Sequence, residues 1–392
     1  MKIAVIGEQN EGGGGSYHLS LKTFEILSNI TDPDFKFYYV SSNKLRNENF
    51  LNYNITLVDK IFFFIQSSNT LRTIFRKLKI QNKFEKFLRK RNIDLIIFLG
   101  CSRFSIFCDE INFLTFIYEF HHIFRPDLPE YKGWAGFDYR EELLKINVKK
   151  SLSLIVDTEK KSDDLIKYYN CYDKKINVIP LISNLTNNKK KDEITISTEV
   201  KNYLDQKNEY FFYPAQYLAH KNHYYILSAI KILNEKNIKN IKFVFTGNKP
   251  KNLKYLQETV GNFNLSSQIT FFNYVSDNDI KNLYQNCKGL IMPSLVGYAS
   301  LPLYEAFYFE KPVFYSKNLL DKSLQNFVTE IDLNDPNSLV NEINNFEKNK
   351  TTLESKIRKA KIYYKENLTD NEITKKYLTL LNKIKNEIKL YK

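Results

Sequence analysis

The chain is predicted to form two doubly wound α/β halves, on three observations. Short runs rich in β-branched and aromatic residues recur along the 392 residues, each bounded by polar clusters. They are apolar throughout rather than alternating, as in parallel strands covered on both faces. Helix-like segments separate them, and the rhythm breaks once, at 183–199, before it resumes.

In order, the first series of strands is Ile3–Ile6, Phe37–Val40, Ile93–Leu99, Leu114–Tyr118, Leu152–Val156 and Ile176–Ile179. The stretch 183–199, SNLTNNKKKDEITISTE, has no apolar period and reads as an interdomain linker. The second series is Phe211–Pro214, Ile241–Phe245, Ile269–Phe272, Leu290–Met292 and Val313–Tyr315. An amphipathic helix then starts near Thr369, where Thr369-x-x-Glu372 forms a capping box ahead of Ile373, Tyr377, Leu380, Leu381, Ile384 and Ile388. The expected domains are 1–185, with the helix 370–392 packed back on it, and 200–369. Ligands of such folds bind at the carboxyl ends of strands where strand order reverses, so two halves facing each other would enclose a cleft.

The formal net charge is +14, which favours polyanionic partners: nucleic acid, anionic lipid or phosphorylated substrates. A composition rich in Lys, Asn, Ile, Tyr and Phe also fits drift toward AT-rich codons. No recognised nucleic-acid motif accompanies the charge, so nucleic acid is not expected. Cys101, Cys108, Cys171 and Cys287 form no CxxC pair, which points away from a zinc knuckle and from disulfides. The opening MKIAVIGEQN is too short an apolar run for a signal peptide, and no segment approaches the roughly 18 apolar residues of a membrane span. A cytoplasmic protein is expected. The basic stretch 71–91 has helical apolar spacing at Leu71, Ile74, Phe75, Leu78, Phe84, Phe87 and Leu88. It reads either as a helix pair lying on anionic lipid at the inner membrane face or as core-packed helices with solvated lysines.

Three places could carry chemistry. In 289–315 a strand, a loop ending Ser300-Leu301-Pro302, a helix and a second strand follow one another. A helix start beside a strand end offers N–H groups and a positive dipole to a phosphate. Glu305, about one turn in, would accept from ribose hydroxyls, or is simply a solvated first-turn acid. Second, Gly12–Gly15 follow the first strand, where backbone N–H groups can face an anion; the alternative is a surface turn. The pattern is not GxGxxG, and the second strand ends Ser41-Ser42 without an acidic residue, which excludes a nicotinamide enzyme. Third, Lys221 follows the first strand of the second half and supplies a point charge for a diphosphate, or is one of many surface lysines.

YPAQYLAHKNH at 213–223 with PSLVGYASLPLYEA at 293–306 resembles the retaining, metal-independent glycosyltransferases of family 4. The Gly-rich opening and the segment 154–179 resemble them too, so the resemblance spans nearly the whole chain. It implies the GT-B fold, two Rossmann-like domains facing a central cleft, with 1–185 taking the acceptor and 200–369 the donor. It implies that Glu305 holds the donor ribose. The backbone at Ser300 and Leu301, with Lys221, would hold the diphosphate. Gly13 and Gly14 would close on the diphosphate or the reacting sugar, while Gly247 and Val275 would lie along the base. The family's glutamate eight residues before Glu305 is Gly297 here, and its arginine five residues before the lysine is Gln216. Its mid-domain histidine aligns with Tyr118-Glu119, near His121 and His122; His122 is the expected catalytic one, a histidine held in a loop the alternative.

The implied reaction moves a sugar from a nucleotide-diphosphate donor to a glycan or lipid-linked acceptor, with retention, in bacterial surface-polysaccharide synthesis. Charge growing on the diphosphate would be the main thing to stabilise. The donor is a substrate, and neither a cofactor nor a metal is expected. The DxD strings Asp32-Pro33-Asp34 and Asp277-Asn278-Asp279 resemble metal sites, but the first sits in a polar turn and Ser276-x-x-Asp279 reads as a capping box. A GT-B epimerase or phosphorylase, and a non-catalytic nucleotide-sugar-binding subunit, are the rival functions.

Overall fold

A computed structural model describes the chain except for residues 8–14, 42–49, 54–55, 58, 62–68, 79–81, 134–135, 187–195, 249, 274 and 391–392. The first sheet contains β1 (Lys2–Ile6), β2 (Lys36–Ser41), β3 (Phe50–Asn52), β4 (Leu95–Phe98), β5 (Asn112–Phe116), β6 (Ser153–Val156) and β7 (Ile176–Val178). Its order is β3-β2-β1-β4-β5-β6-β7. The second sheet contains β8 (Tyr210–Pro214), β9 (Lys242–Thr246), β10 (Ile269–Phe272), β11 (Gly289–Met292), β12 (Val313–Ser316) and β13 (Thr329–Ile331), in the order β10-β9-β8-β11-β12-β13. Every pairing is parallel. Strands such as Leu95–Phe98 and Gly289–Met292 are buried along their whole length, as helices on both faces require. Order reverses between β1 and β4 in one sheet and between β8 and β11 in the other.

The chain divides into a first unit, Met1–Ile123, Gly133–Pro180 and Asp370–Lys392, and a second unit, Phe124–Lys132 and Leu181–Thr369. These differ from the sequence boundaries 1–185 and 200–369 in two ways. The second unit begins at Leu181, because Ser183 and Leu185 are buried within it and Asn184–Thr186 form a 3-10 turn. It also takes Phe124–Lys132, whose Leu128 and Tyr131 pack with Leu295 and Val296.

The helix Asp370–Leu390 belongs to the first unit. Its Ile373, Tyr377, Leu380, Leu381 and Ile384 form the buried face. Asp370 receives a 2.8 Å hydrogen bond from Lys22 Nζ, and the Lys22 side chain is fully buried in the helix Gly15–Ser28. Lys385 pairs with Asp34, holding that carboxyl below its ordinary pKa.

The basic stretch 71–91 divides. In the helix Asn69–Lys77 and the turn after it, Leu71, Ile74 and Leu78 are exposed, Leu78 by 64%. In the helix Lys83–Arg89, Phe84 and Leu88 are buried in the core with Phe104 and Phe113. The second helix is therefore core-packed, so the alternative of a helix pair lying on lipid does not hold for it. Asn82 caps the second, accepting from Glu85 N–H at 2.7 Å. None of the described helices is long and apolar enough to cross a membrane.

Asp370→Ala leaves the Lys22 ammonium buried beside the more distant, partly exposed Glu25. It should cost about 1–3 kcal/mol in urea denaturation, less than a fully buried pair because Asp370 is partly solvated. Adding Lys22→Met should recover most of that loss.

Candidate active site

The loops after β8, β9, β10 and β11 all leave the carboxyl edge of the second sheet, because its strands are parallel. The two loops flanking the reversal are joined directly: Leu295 N–H donates to His220 O at 2.8 Å. Lys221 ends the 3-10 turn Ala219–Lys221, and Asn222 then takes a left-handed φ of 54° to start the helix His223–Glu235. Tyr213 OH donates to Lys221 O at 3.0 Å and lies 3.0 Å from Ser294 Oγ, tying the same two loops from below. His223 is buried against Tyr213, Tyr217 and Phe245. Burial, and next the charge of Lys221, push it down to about 3, so it is a neutral packing group.

Gly247 follows β9. A Cβ there would meet Ala215 O at 2.5 Å and Gln216 Cα at 3.0 Å, so a glycine is needed for the β9 loop to approach the β8 loop. Gln216 is half-buried in that crossing, and Val275 is half-buried just before the helix Asp277–Asn286. Gly297 is required for a different reason: its φ is +107°, while a Cβ would make only an ordinary contact with Ala299 O at 3.8 Å. Its carbonyl accepts from Tyr315 OH at 3.0 Å. Ser316 Oγ donates to Ser294 O at 2.7 Å, and Asp321 N–H to Tyr298 O at 3.0 Å, so the whole 294–298 loop is anchored.

That loop feeds the helix Leu301–Tyr308. Its N-cap, Ser300, has an extended backbone, and its hydroxyl makes no capping bond; it lies 3.8 Å from Met292 Sδ instead. The first-turn N–H groups have no intrahelical acceptor and Pro302 has no N–H at all, so the opening is positive. One turn in, Glu305 is buried rather than solvated. Ser183 Oγ donates to its Oε1 at 2.5 Å and Tyr284 OH to its Oε2 at 2.9 Å. Burial raises its pKa to about 7, against the two hydrogen bonds, which lower it.

The second unit thus brings Lys221, Gln216, Gly247, Val275, Gly297, Ser300, Leu301 and Glu305 to one sheet edge and the helix beyond it. His122 lies in the first unit, buried, its Nε2 3.0 Å from Glu141 Oε2. Glu141 also accepts from Tyr169 OH at 2.7 Å. Gly13 and Gly14 lie outside the described residues. Of the two DxD strings, Asp279 forms the capping box with Ser276 and also accepts from Ser197 N–H, while Asp34 pairs with Lys385. Among the described residues no cluster of His, Cys, Asp and Glu is arranged for a metal ion.

Residues 196–364 match the model of the family described as Glycosyl transferases group 1. That match lies wholly within the second unit. The chain that carries it is an enzyme of the glycosyltransferase type. Solved structures of similar fold cover nearly all of it. A glycosyltransferase from Rickettsia africae is 16% identical with a TM-score of 0.66, the match covering 98% of each chain. Sucrose-phosphate synthase from Thermosynechococcus elongatus is 12% identical with a TM-score of 0.73, covering 98% of this chain and 99% of that one. HepE from Anabaena, solved with UDP-glucose, is 12% identical with a TM-score of 0.67, covering 98% and 100%. These similarities establish the GT-B fold. No curated protein matches the chain by sequence.

Several residues of the second unit escaped the sequence reading. Tyr284 was legible in principle, since Ile280, Leu283 and Tyr284 share the inward spacing of one helix face. Ser183 was hidden in a stretch whose polar composition reads as linker. Glu130 accepts from His220 N–H at 3.2 Å and lies 3.1 Å from His220 Nδ1, a contact no local pattern signals.

Because Glu305 holds its proton more tightly folded than unfolded, the native state loses stability as pH rises from about 4.5 to about 7. Glu305→Gln has no such proton. Its stability relative to wild type should rise across that window by about 3 kcal/mol in urea titrations at pH 5 and pH 8.

Proposed function

We propose that the enzyme moves a sugar from a nucleotide-diphosphate donor to a glycan or lipid-linked acceptor, with retention at the anomeric carbon and without a metal ion. The observation that carries this is the pairing of a positive end with a buried carboxylate one helical turn apart. Lys221 and the open helix start at Ser300–Leu301 suit a diphosphate, and Glu305 suits ribose hydroxyls. The solved relatives support the same reading: HepE was solved with UDP and with UDP-glucose, and TarM of S. aureus with UDP and α-GlcNAc-glycerol.

Bond breaking places negative charge on the diphosphate. Lys221 and the helix dipole are arranged before that charge appears, so they stabilise it without reorganising. The acceptor hydroxyl attacks from the face the diphosphate leaves, and a phosphate oxygen takes its proton. No dedicated carboxylate base is needed. The pathway we assign is surface-polysaccharide synthesis, as for the similar WaaG, a glycosyltransferase involved in lipopolysaccharide biosynthesis. On this reading the exposed apolar face of Asn69–Lys77, flanked by basic residues, lies on the anionic inner face of the membrane.

A thermal-shift screen against UDP, GDP, ADP, dTDP and their sugars should give a clear rise for one nucleotide class. Glu305→Ala should abolish it, and Lys221→Ala should weaken the diphosphate more than the nucleoside. No rise with any nucleotide would sink the donor-site reading. In flotation assays the protein should rise with phosphatidylglycerol vesicles and not with neutral ones. Leu71→Ser with Ile74→Ser should weaken that binding about tenfold or more, as expected from removing two apolar contacts.

A further inference from the structure

Glu305 reaches its place with help from two residues that are not its neighbours in sequence. Ser183 Oγ lies 2.5 Å from Oε1 and itself accepts from Leu185 N–H at 3.2 Å, so the hydroxyl proton is directed at the carboxylate. Tyr284 OH lies 2.9 Å from Oε2. The Tyr284 ring is fully buried and stacks on Phe309 at 5.2 Å and 10°, so its hydroxyl has little freedom. Ser183 and Tyr284 are both buried, as is Glu305. A buried carboxylate held at both oxygens has a fixed plane, and each oxygen keeps one further acceptor position. Two such positions match the vicinal hydroxyls of a ribose.

We infer that Ser183 and Tyr284 are positioning residues that hold Glu305 ionised and oriented for a ribose cis-diol, making the site selective for ribonucleoside over 2′-deoxyribonucleoside diphosphates. The inference rests on the donor-site reading above. Both hydrogen bonds favour the charged form, whereas burial and Asp277, on the helix that carries Tyr284, oppose it. Lys281 on the Tyr284 helix, Glu310 just past the Glu305 helix, and Lys361 and Lys365 on the helix Lys350–Asn367 line, with Leu185 and Phe309, an adjoining cavity of about 570 Å³. Glu305 titrates near neutrality under this balance, so losing either donor moves its ionisation to higher pH.

The test uses the full chain as wild type, Ser183→Ala, Ser183→Thr and Tyr284→Phe, with UDP, GDP and ADP as probes between pH 6 and 9. UDP is compared with dUDP, and likewise for the other bases. Ionisation of Glu305 is followed without ligand, from the pH dependence of stability in each background with and without Glu305→Gln. We expect the ionisation midpoint to rise by about one pH unit in Ser183→Ala and in Tyr284→Phe, as loss of one charge-assisted hydrogen bond predicts. Nucleotide affinity should drop about tenfold at pH 7, recover toward pH 9, and keep its wild-type value in Ser183→Thr. The preference for UDP over dUDP should shrink in both impaired variants. Unchanged midpoints and unchanged ribose preference in both, with wild type still binding a nucleotide, would overturn the positioning role. A wild type that binds none of the probes would instead overturn the donor-site reading, and the ribose role with it.

Discussion

The reversal of strand order between β8 and β11 is the constraint on which the site depends. Two adjacent parallel strands there send their connections in opposite directions, which opens the sheet edge. The gap would be a weak point if the loops on either side were loose. Leu295 N–H to His220 O closes it at the backbone, and the Tyr213 hydroxyl closes it again from the strand beneath. The segment Phe124–Lys132 braces both sides, with Glu130 on His220 and Leu128 and Tyr131 against Val296. The two loops that present Lys221 and the helix start are thus one rigid surface, and charge stabilisation without reorganisation needs such a surface.

The carboxylate one turn into that helix illustrates a tension between stability and chemistry. Burying Glu305 costs desolvation, and its two hydrogen bonds offset only part of that cost. A glutamine would suit the buried position better in the empty protein. Retaining an ionisable group there makes physical sense where its charge meets hydroxyl donors brought by a ligand. The first unit treats its buried charges differently. Lys161 pairs with Asp157 and donates to Tyr118 O at 2.6 Å, so that buried charge meets an opposite charge within the protein.

The sequence was most legible where one physical rule dominates. Apolar runs marked the interior strands because burial on both faces leaves no room for alternation. The two strands it did not reveal, Phe50–Asn52 and Thr329–Ile331, are three residues long and lie at the outer ends of the sheets, where pairing on one side tolerates polar residues. The helix start at Ser300 and its glutamate were legible from spacing. The partners of Glu305 were not, since Ser183 is 122 residues away and its contact is tertiary. Amphipathic spacing at 71–91 was equally clear in both helices, yet one buries Phe84 and Leu88 and the other exposes Leu71 and Ile74. Periodicity reveals a face and does not say what covers it.

The return of Asp370–Leu390 to the first unit has a consequence for how the protein is made. Lys22 leaves the ribosome well ahead of its carboxylate partner, which follows 348 residues later. At typical elongation rates of about 5–20 residues per second, that is a wait on the order of tens of seconds. Throughout it the nascent chain has a lysine destined for burial with no Asp370 to meet it, and an uncovered apolar seat for the returning helix. The first unit is therefore unable to finish folding until the second has been made, and the second unit has time to form before it.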